Sequence, residues 1–209
     1  DELINRDVCH ICVEDARQAL ADISCIYYNR PADHLQMVGI TGTNGKTTIA
    51  YMTSNILRSA GRAPGLLTTV EYRIGERTIP ASRTTPEAPV LQSMLAQISA
   101  AGGKSAVMEV SSHALSQKRT IGIDYDVAVF TNLTRDHLDY HQTLEKYFDA
   151  KLLLFTGLGK GAKRARAADQ IGELIAGGGG EDIGGGFHRG ISRIRLLFPT
   201  SMQPFESGK

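Results

Sequence analysis

The chain has 209 residues, 42% of them apolar, and its 23 basic and 22 acidic side chains leave a formal net charge of +1. Such a balance is ordinary for a globular domain with an attached piece, and gives no reason to expect nucleic acid or an anionic membrane as partner. No apolar run approaches the ~20 residues of a membrane span, and three cysteines make an odd count that fits a reducing cytoplasm better than a disulfide framework.

The acidic start "DELINRD" is unlike a signal peptide. Residues 1–36 hold one helical pattern, "VEDARQALADI", but no complete domain. Cys9 and Cys12 form a single C-x-x-C, "CHIC". A zinc site needs four ligands and no second C-x-x-C follows, so packing is the expected role of the pair.

From residue 37, short β-rich runs alternate with amphipathic helices. "MVGIT" (37–41) reads as a buried strand, followed by a glycine-rich turn and a helix through about Ser59. "GLLTTVEYRI" (65–74) is strand-like, and "GERTIPA" returns as a hairpin. "APVLQSMLAQISAA" (88–101) repeats apolar residues at helical spacing until Gly102 and Gly103 stop it. "SAVMEV" (105–110) and "DVAVFTNL" (126–133) are two further strands, and "TLEKYFDAKLLLF" (143–155) is a helix. Strands separated by helices of this length predict an α/β domain over residues 37–156, a mostly parallel sheet with helices on both faces.

Beyond Gly157 the periodicity collapses. More than half of the 22 glycines lie between Gly157 and Gly190, and a basic run, "KGAKRAR", precedes most of them. This composition buries too little apolar surface to offset its backbone entropy. Residues 157–209 are therefore expected to be a disordered or poorly packed extension, not a second domain.

"GITGTNGKTT" (39–48) sits between a strand and a helix, where a phosphate-binding loop belongs. Backbone N–H groups of Gly42, Thr43, Asn44, Gly45, Lys46, Thr47 and Thr48 and the helix N-terminus would offer partial positive charge to phosphates. Lys46 would reach the terminal phosphates, and the Thr47 hydroxyl would hold Mg²⁺. Ile40 occupies the first glycine position of the strict G-x-x-x-x-G-K-[ST] pattern. The alternative is a tight turn with an accidental lysine.

A second lysine stands out. Leu144, Phe148, Lys151 and Phe155 are spaced by four, three and four, which puts Lys151 on an otherwise apolar helix stripe. Read from the spacing alone, its stem packs while its head snorkels to water.

The loop variant "TGTNGKTT" resembles the ATP loop of the Mur ligases, the amino-acid ligases of peptidoglycan precursor synthesis. "TTPE" (84–87), "MEVSSHALSQKR" (108–119) and "FTNLTRDHLDYH" (130–141) resemble the branch that adds the third residue to UDP-N-acetylmuramoyl-L-alanyl-D-glutamate. The resemblance covers roughly residues 10–156, with several long motifs in order.

The resemblance implies an incomplete ATP-binding central domain over residues 37–156, preceded in residues 1–36 by a remnant of the uridine-binding domain and a linker. It implies that Lys151 is carboxylated by CO₂ and helps His137 hold a second Mg²⁺, while Glu109 binds the Mg²⁺ that meets Thr47. The chemistry is reasonable, because burial on an apolar face favours a neutral, nucleophilic amine. Without the resemblance, Glu109 at a strand end is as readily an ion-pair partner, and His137 a surface or capping residue. Thr84, Thr85, Ser111, Gln117 and Arg119 match positions that contact the UDP-muramoyl dipeptide, and their hydroxyl, amide and guanidinium groups suit phosphate or sugar oxygens.

The implied reaction transfers the ATP γ-phosphate to the D-glutamyl carboxylate, and the acyl phosphate then accepts the amino group of a free amino acid, diaminopimelate or lysine. Lys46 and two Mg²⁺ ions would neutralise charge on the transferred group. Runners-up are the next ligase of the pathway and folylpolyglutamate synthetase. A nucleotide switch is a third reading, but the guanine-reading N-K-x-D motif is absent. The change past residue 157 is also what a shifted reading frame would produce, and the isolated chain is expected to form no tripeptide product.

Overall fold

The computed structural model describes residues 10–156 and 158–166. Helix α1 (Ala16–Tyr27) starts on Asp15, whose carboxylate accepts from the Arg17 and Gln18 amides. A short 3₁₀ turn (Pro31–His34) leads into β1 (Gln36–Thr41), and the phosphate-loop segment follows into α2 (Lys46–Ser59). Then come β2 (Pro64–Leu67), β3 (Glu71–Ile74), β4 (Arg77–Pro80), α3 (Ala88–Ala100) and β5 (Ser105–Glu109). Short α4 (Ser112–Ser116), β6 (Tyr125–Phe130), short α5 (Leu138–His141), α6 (Leu144–Thr156) and β7 (Leu158–Arg166) complete the described chain.

The seven strands form one sheet in the order β4-β3-β2-β5-β1-β6-β7. Strands β2, β5, β1, β6 and β7 pair in parallel, while β3 and β4 add an antiparallel hairpin at one edge. The strand period of two divides the core between two faces. Val38, Ile40, Leu66 and Val107 pack with Ile49, Ala50 and Leu57 of α2 on one face. Met37, Leu67, Ala106 and Met108 pack with Leu91, Leu95 and Ile98 of α3 and Leu154 of α6 on the other. Gly39 permits close approach there, since a Cβ would lie 2.7 Å from Tyr125 and 3.0 Å from Leu154.

Register sets the site. Ile40 lies opposite Glu109, and Thr41 opposite Phe130, so the carboxyl ends of β1, β5 and β6 stand side by side. In parallel sheets ligands gather at that edge.

The expected mostly parallel sheet with helices on both faces is found, with three local differences. The run 65–74 is two strands, because the Thr68 hydroxyl accepts from the Val70 and Glu71 amides and folds the run into a turn. The buried stripe of α6 is Tyr147, Ala150, Lys151 and Leu154, so Lys151 is on it, but Leu144, Phe148 and Phe155 are only half-buried at its margin. The sheet also continues past residue 157: β7 pairs with β6, from Leu158 opposite Tyr125 and, after a shift, from Lys163 opposite Val127. Backbone pairing on an open sheet edge needs no apolar periodicity, which is why composition pointed elsewhere. The rest of the tail and Cys9 lie outside the described residues. Among the described residues no helix is long and apolar enough to cross a membrane.

Candidate active site

The loop after β1 is built by its glycines and by the segment following β6. Gly42 has φ +140°, and a Cβ there would sit 1.9 Å from the Thr131 hydroxyl. Gly45, at φ +81°, caps α2. The Thr43 amide donates to the Asn132 carbonyl at 2.9 Å, and the Asn44 amide to Asn132 Oδ1 at 2.9 Å. Thr131 Oγ1 and Asn132 Nδ2 donate in return to the Asn44 carbonyl, at 2.7 and 3.2 Å. These bonds fasten the loop to the segment after β6 and occupy the Thr43 and Asn44 amides, while the first-turn N–H groups of α2 have no partner within the helix. Thr48 is exposed on that first turn.

Two lysines converge on this loop. Lys46 Nζ donates to the carbonyls of Gly42 (3.0 Å) and Thr43 (2.8 Å). Lys151 is 2% exposed, and its Nζ donates to the same Gly42 carbonyl at 2.9 Å. It also stands 4.3 Å from the centre of the Tyr147 ring. Burial, then the charge of Lys46, bring its pKa down to about 7, against an opposing pull from Asp136. Lys46 is lowered too, by burial, with Glu109 and Asp136 opposing. Lys151 therefore does not snorkel. Its head lies inside, and a pKa lowered to about 7 lets the ammonium give up its proton near neutral pH to leave a nucleophilic amine.

Glu109 is 1% exposed at the end of β5. Its Oε1 accepts from Thr47 Oγ1 at 2.8 Å and from the Thr69 amide at 3.1 Å, and its Oε2 accepts from Thr69 Oγ1 at 3.1 Å. These contacts hold the carboxylate by neutral donors rather than by an ion pair. A buried carboxylate beside a hydroxyl is a hard-oxygen donor set that fits Mg²⁺. His137 has φ +52° and a half-exposed ring, 3.6 Å from Asp136 and 6.0 Å between ring centres from Tyr147. Its other ring neighbour is His113, at 4.9 Å between centres. Among the described residues no group of three or more His, Cys, Asp or Glu side chains is arranged to hold a metal ion. Lys151 fits a metal only once its ammonium proton is gone, since an ammonium group has no lone pair to give, and a carbamate would offer the oxygen donors that Mg²⁺ prefers.

The other residues picked from sequence form a connected strip leading from Glu109. Thr84 Oγ1 lies 3.0 Å from Thr69 Oγ1, whose single proton is shared between Thr84 and Glu109. Thr85 Oγ1 donates to the Glu109 carbonyl at 2.9 Å and accepts from the Ser111 amide at 3.0 Å. Ser111 caps α4. Arg119 donates to the Thr85 carbonyl at 3.0 Å, pairs with Glu87 at 3.0 Å and bonds Gln117 Oε1. Gln117 in turn donates to the Tyr140 hydroxyl at 3.3 Å. Sequence reasoning missed Thr69, which orients Glu109, Thr131 and Asn132, which brace the loop, and Tyr147. The adjacent "TNL" after β6 was the available signal for two of them.

Comparison with known proteins places these features in a family. Residues 40–177 match the description of the Mur ligase middle domain. The UDP-N-acetylmuramoyl-L-alanyl-D-glutamate–2,6-diaminopimelate ligase of Geobacillus kaustophilus is 50% identical over 153 residues, which is 73% of this chain and 31% of that enzyme. Its namesake from Geobacter sulfurreducens is 49% identical over 160 residues, 76% of this chain and 31% of the relative. The chain thus spans about a third of the length of the curated relatives it matches. A solved structure of a ligase of the same name aligns with TM-score 0.68 and 32% identity, covering 79% of this chain and 34% of that one. Mycobacterium tuberculosis folylpolyglutamate synthase, complexed with ADP and AMPPCP, aligns with TM-score 0.60 at 18% identity, over 76% of this chain and 43% of that one, a likeness of fold alone. With its loop, its sheet and the family description agreeing over more than half its length, the chain belongs to the Mur ligase family.

Proposed function

We propose that the chain is the nucleotide-binding middle part of a ligase that joins an amino acid to UDP-N-acetylmuramoyl-L-alanyl-D-glutamate at the expense of ATP, within the cytoplasm. The observation that carries this reading is the convergence of Lys46 and Lys151 on the Gly42 carbonyl, beside a phosphate-binding loop whose Thr47 touches buried Glu109. Diaminopimelate is the amino acid supported by the names of the relatives near 50% identity, where the sequence alone left lysine open.

In this reading the amides at the head of α2 bind the ATP phosphates, and Lys46 leaves the Gly42 and Thr43 carbonyls to meet the terminal phosphate. Thr47 and Glu109 would hold one Mg²⁺, and His137 with carboxylated Lys151 a second; ions held there would supply positive charge to offset that of the phosphoryl group. Thr84, Thr85, Ser111, Gln117 and Arg119 orient the UDP-muramoyl dipeptide along the strip that begins at Glu109. A free carboxylate is a poor acceptor for an amine, and phosphorylation supplies the leaving group.

Calorimetric titration of the 209-residue chain with ATP and with GTP, each with Mg²⁺, tests the nucleotide half of this reading. ATP is expected to bind in preference to GTP, and Lys46→Ala to weaken ATP binding by at least about tenfold, the loss of one charge-assisted contact. A wild-type chain that binds neither nucleotide would end the proposal.

A further inference from the structure

Tyr147 occupies a position that neither the loop nor the metal chemistry explains. It is 1% exposed, and its ring face carries the Lys151 ammonium at 4.3 Å. Its hydroxyl lies 3.3 Å from Thr43 Oγ1, in the phosphate-binding loop. Thr43 Oγ1 also accepts from the Thr134 amide at 3.0 Å, so the tyrosine is tied to both halves of the loop's support. The His141 ring, 5.2 Å away between centres, walls the tyrosine on another side. One buried ring therefore touches the lysine with its face and the loop with its hydroxyl.

The face of an aromatic ring is electron-rich. It attracts a cation and repels an anion. In carboxylation the Lys151 ammonium first gives a proton to water; the freed lone pair attacks the carbon of CO₂, an N–C bond forms, one C=O electron pair moves to oxygen, and a second proton leaves the nitrogen for water. The cation is thereby replaced by an anion. The carbamate N–H can still donate to the Gly42 carbonyl, but the ring face repels the new carboxylate, so the head group must turn away from the ring. The ring cannot turn away freely, because it is buried and its hydroxyl holds Thr43.

Building on the reading that Lys151 takes up CO₂, we propose that Tyr147 is a positioning residue that couples the charge on Lys151 to the phosphate-binding loop, so that carboxylation and nucleotide binding favour each other. Through the Thr43 contact, the shift that relieves the ring relaxes the loop toward its phosphate-holding form. By linkage, nucleotide on the loop then favours the carboxylated lysine to the same degree.

The test uses the whole 209-residue chain with Mg²⁺ and ADP, titrated in CO₂-free and in bicarbonate buffer, with isotope-labelled bicarbonate and carbon NMR to read the carbamate. Wild type is expected to show a carbamate resonance and an ADP affinity at least about fivefold higher in bicarbonate, the lower end of ordinary site-to-site coupling. Tyr147→Phe keeps the ring and loses the tether, so it should retain the resonance while its ADP affinity loses most of that rise. A Phe variant with the full rise, or with no resonance, overturns the coupling, as does a wild type with the resonance and no rise. Absence of the resonance in wild type removes the Lys151 reading itself, and the coupling with it, a result distinct from failure in the variant alone.

Discussion

Lys46 and Lys151 donate to one acceptor, the Gly42 carbonyl oxygen, at 3.0 and 2.9 Å. Two ammonium groups drawn to a single oxygen repel each other, and both have lost water. The Lys151 pKa accordingly falls from 10.5 to about 7, through burial first and the Lys46 charge second. The two lysines come from opposite ends of the domain sequence, so only the fold creates their opposition. A phosphate at Lys46, or loss of the positive charge on Lys151, would relieve it.

That opposition predicts a pH profile. A lysine with a lower pKa in the folded chain binds fewer protons there than in the unfolded chain, so stability rises with pH between the two values. In nucleotide-free, CO₂-free buffer the chain should gain stability as pH rises from about 7 toward 10.5. The upper limit is about 1.4 kcal/mol per pH unit for each such lysine. Lys151→Met keeps the buried stem, removes the charge and should flatten most of the rise. Urea denaturation at stepped pH reads both slopes, and equal slopes would remove this account of Lys151.

Glu109 makes a different prediction. Its oxygens accept from Thr47 and from both the amide and hydroxyl of Thr69. Glu109→Gln retains an acceptor oxygen at nearly unchanged size but loses the charge. The fold should survive, while the part of ATP affinity that depends on Mg²⁺ falls by at least about tenfold, the scale of losing support at a metal site. Titrations with Mg²⁺ and with a chelator separate the two parts. An unchanged Mg²⁺ dependence would relocate the metal.

Most of this architecture was legible in the sequence because local signals agreed. The 39–48 loop carries its glycines, its lysine and its flanking strand and helix in one short segment. The strands β1, β5 and β6 are short apolar runs, and the helices α2, α3 and α6 carry helical periodicity. Lys151 was visible as a break in an apolar stripe. Less legible were features made by chain crossings. The true buried face of α6 runs through Tyr147 and Leu154, because Gly39 and Tyr125 set where the helix meets the sheet. Thr69 looks like strand interior until the Thr68 turn brings it under Glu109. Helices α4 and α5 are too short for periodicity to register, and β7 is held by backbone pairing.

Gly42 tests the loop's construction. A Cβ there would meet Thr131 Oγ1 at 1.9 Å, in a backbone conformation that L side chains rarely adopt. Gly42→Ala is expected to cost about 1–3 kcal/mol, the usual scale of overpacking. Shortening Thr131 to alanine in the same chain should recover only part, because the backbone strain stays and the bond from Thr131 to the Asn44 carbonyl is lost. Chemical denaturation of the single and double variants measures this. A tolerated single substitution would mean that the loop rests in another form.

Thr85 tests the strip between Glu109 and Arg119. Its buried hydroxyl donates to the Glu109 carbonyl and accepts from the Ser111 amide, so one group satisfies the backbone on both sides of Val110. Valine has nearly the same shape and neither capacity. Thr85→Val should leave a buried acceptor and a buried donor unpaired and cost about 1–3 kcal/mol. Thr85→Ser keeps both bonds and gives up one methyl group, worth about 0.8 kcal/mol. Thermal and urea unfolding of the two variants should therefore rank serine above valine. The reverse order would mean that methyl packing, not the hydroxyl bridge, fixes this turn, and that Ser111 is held in place by the rest of its helix.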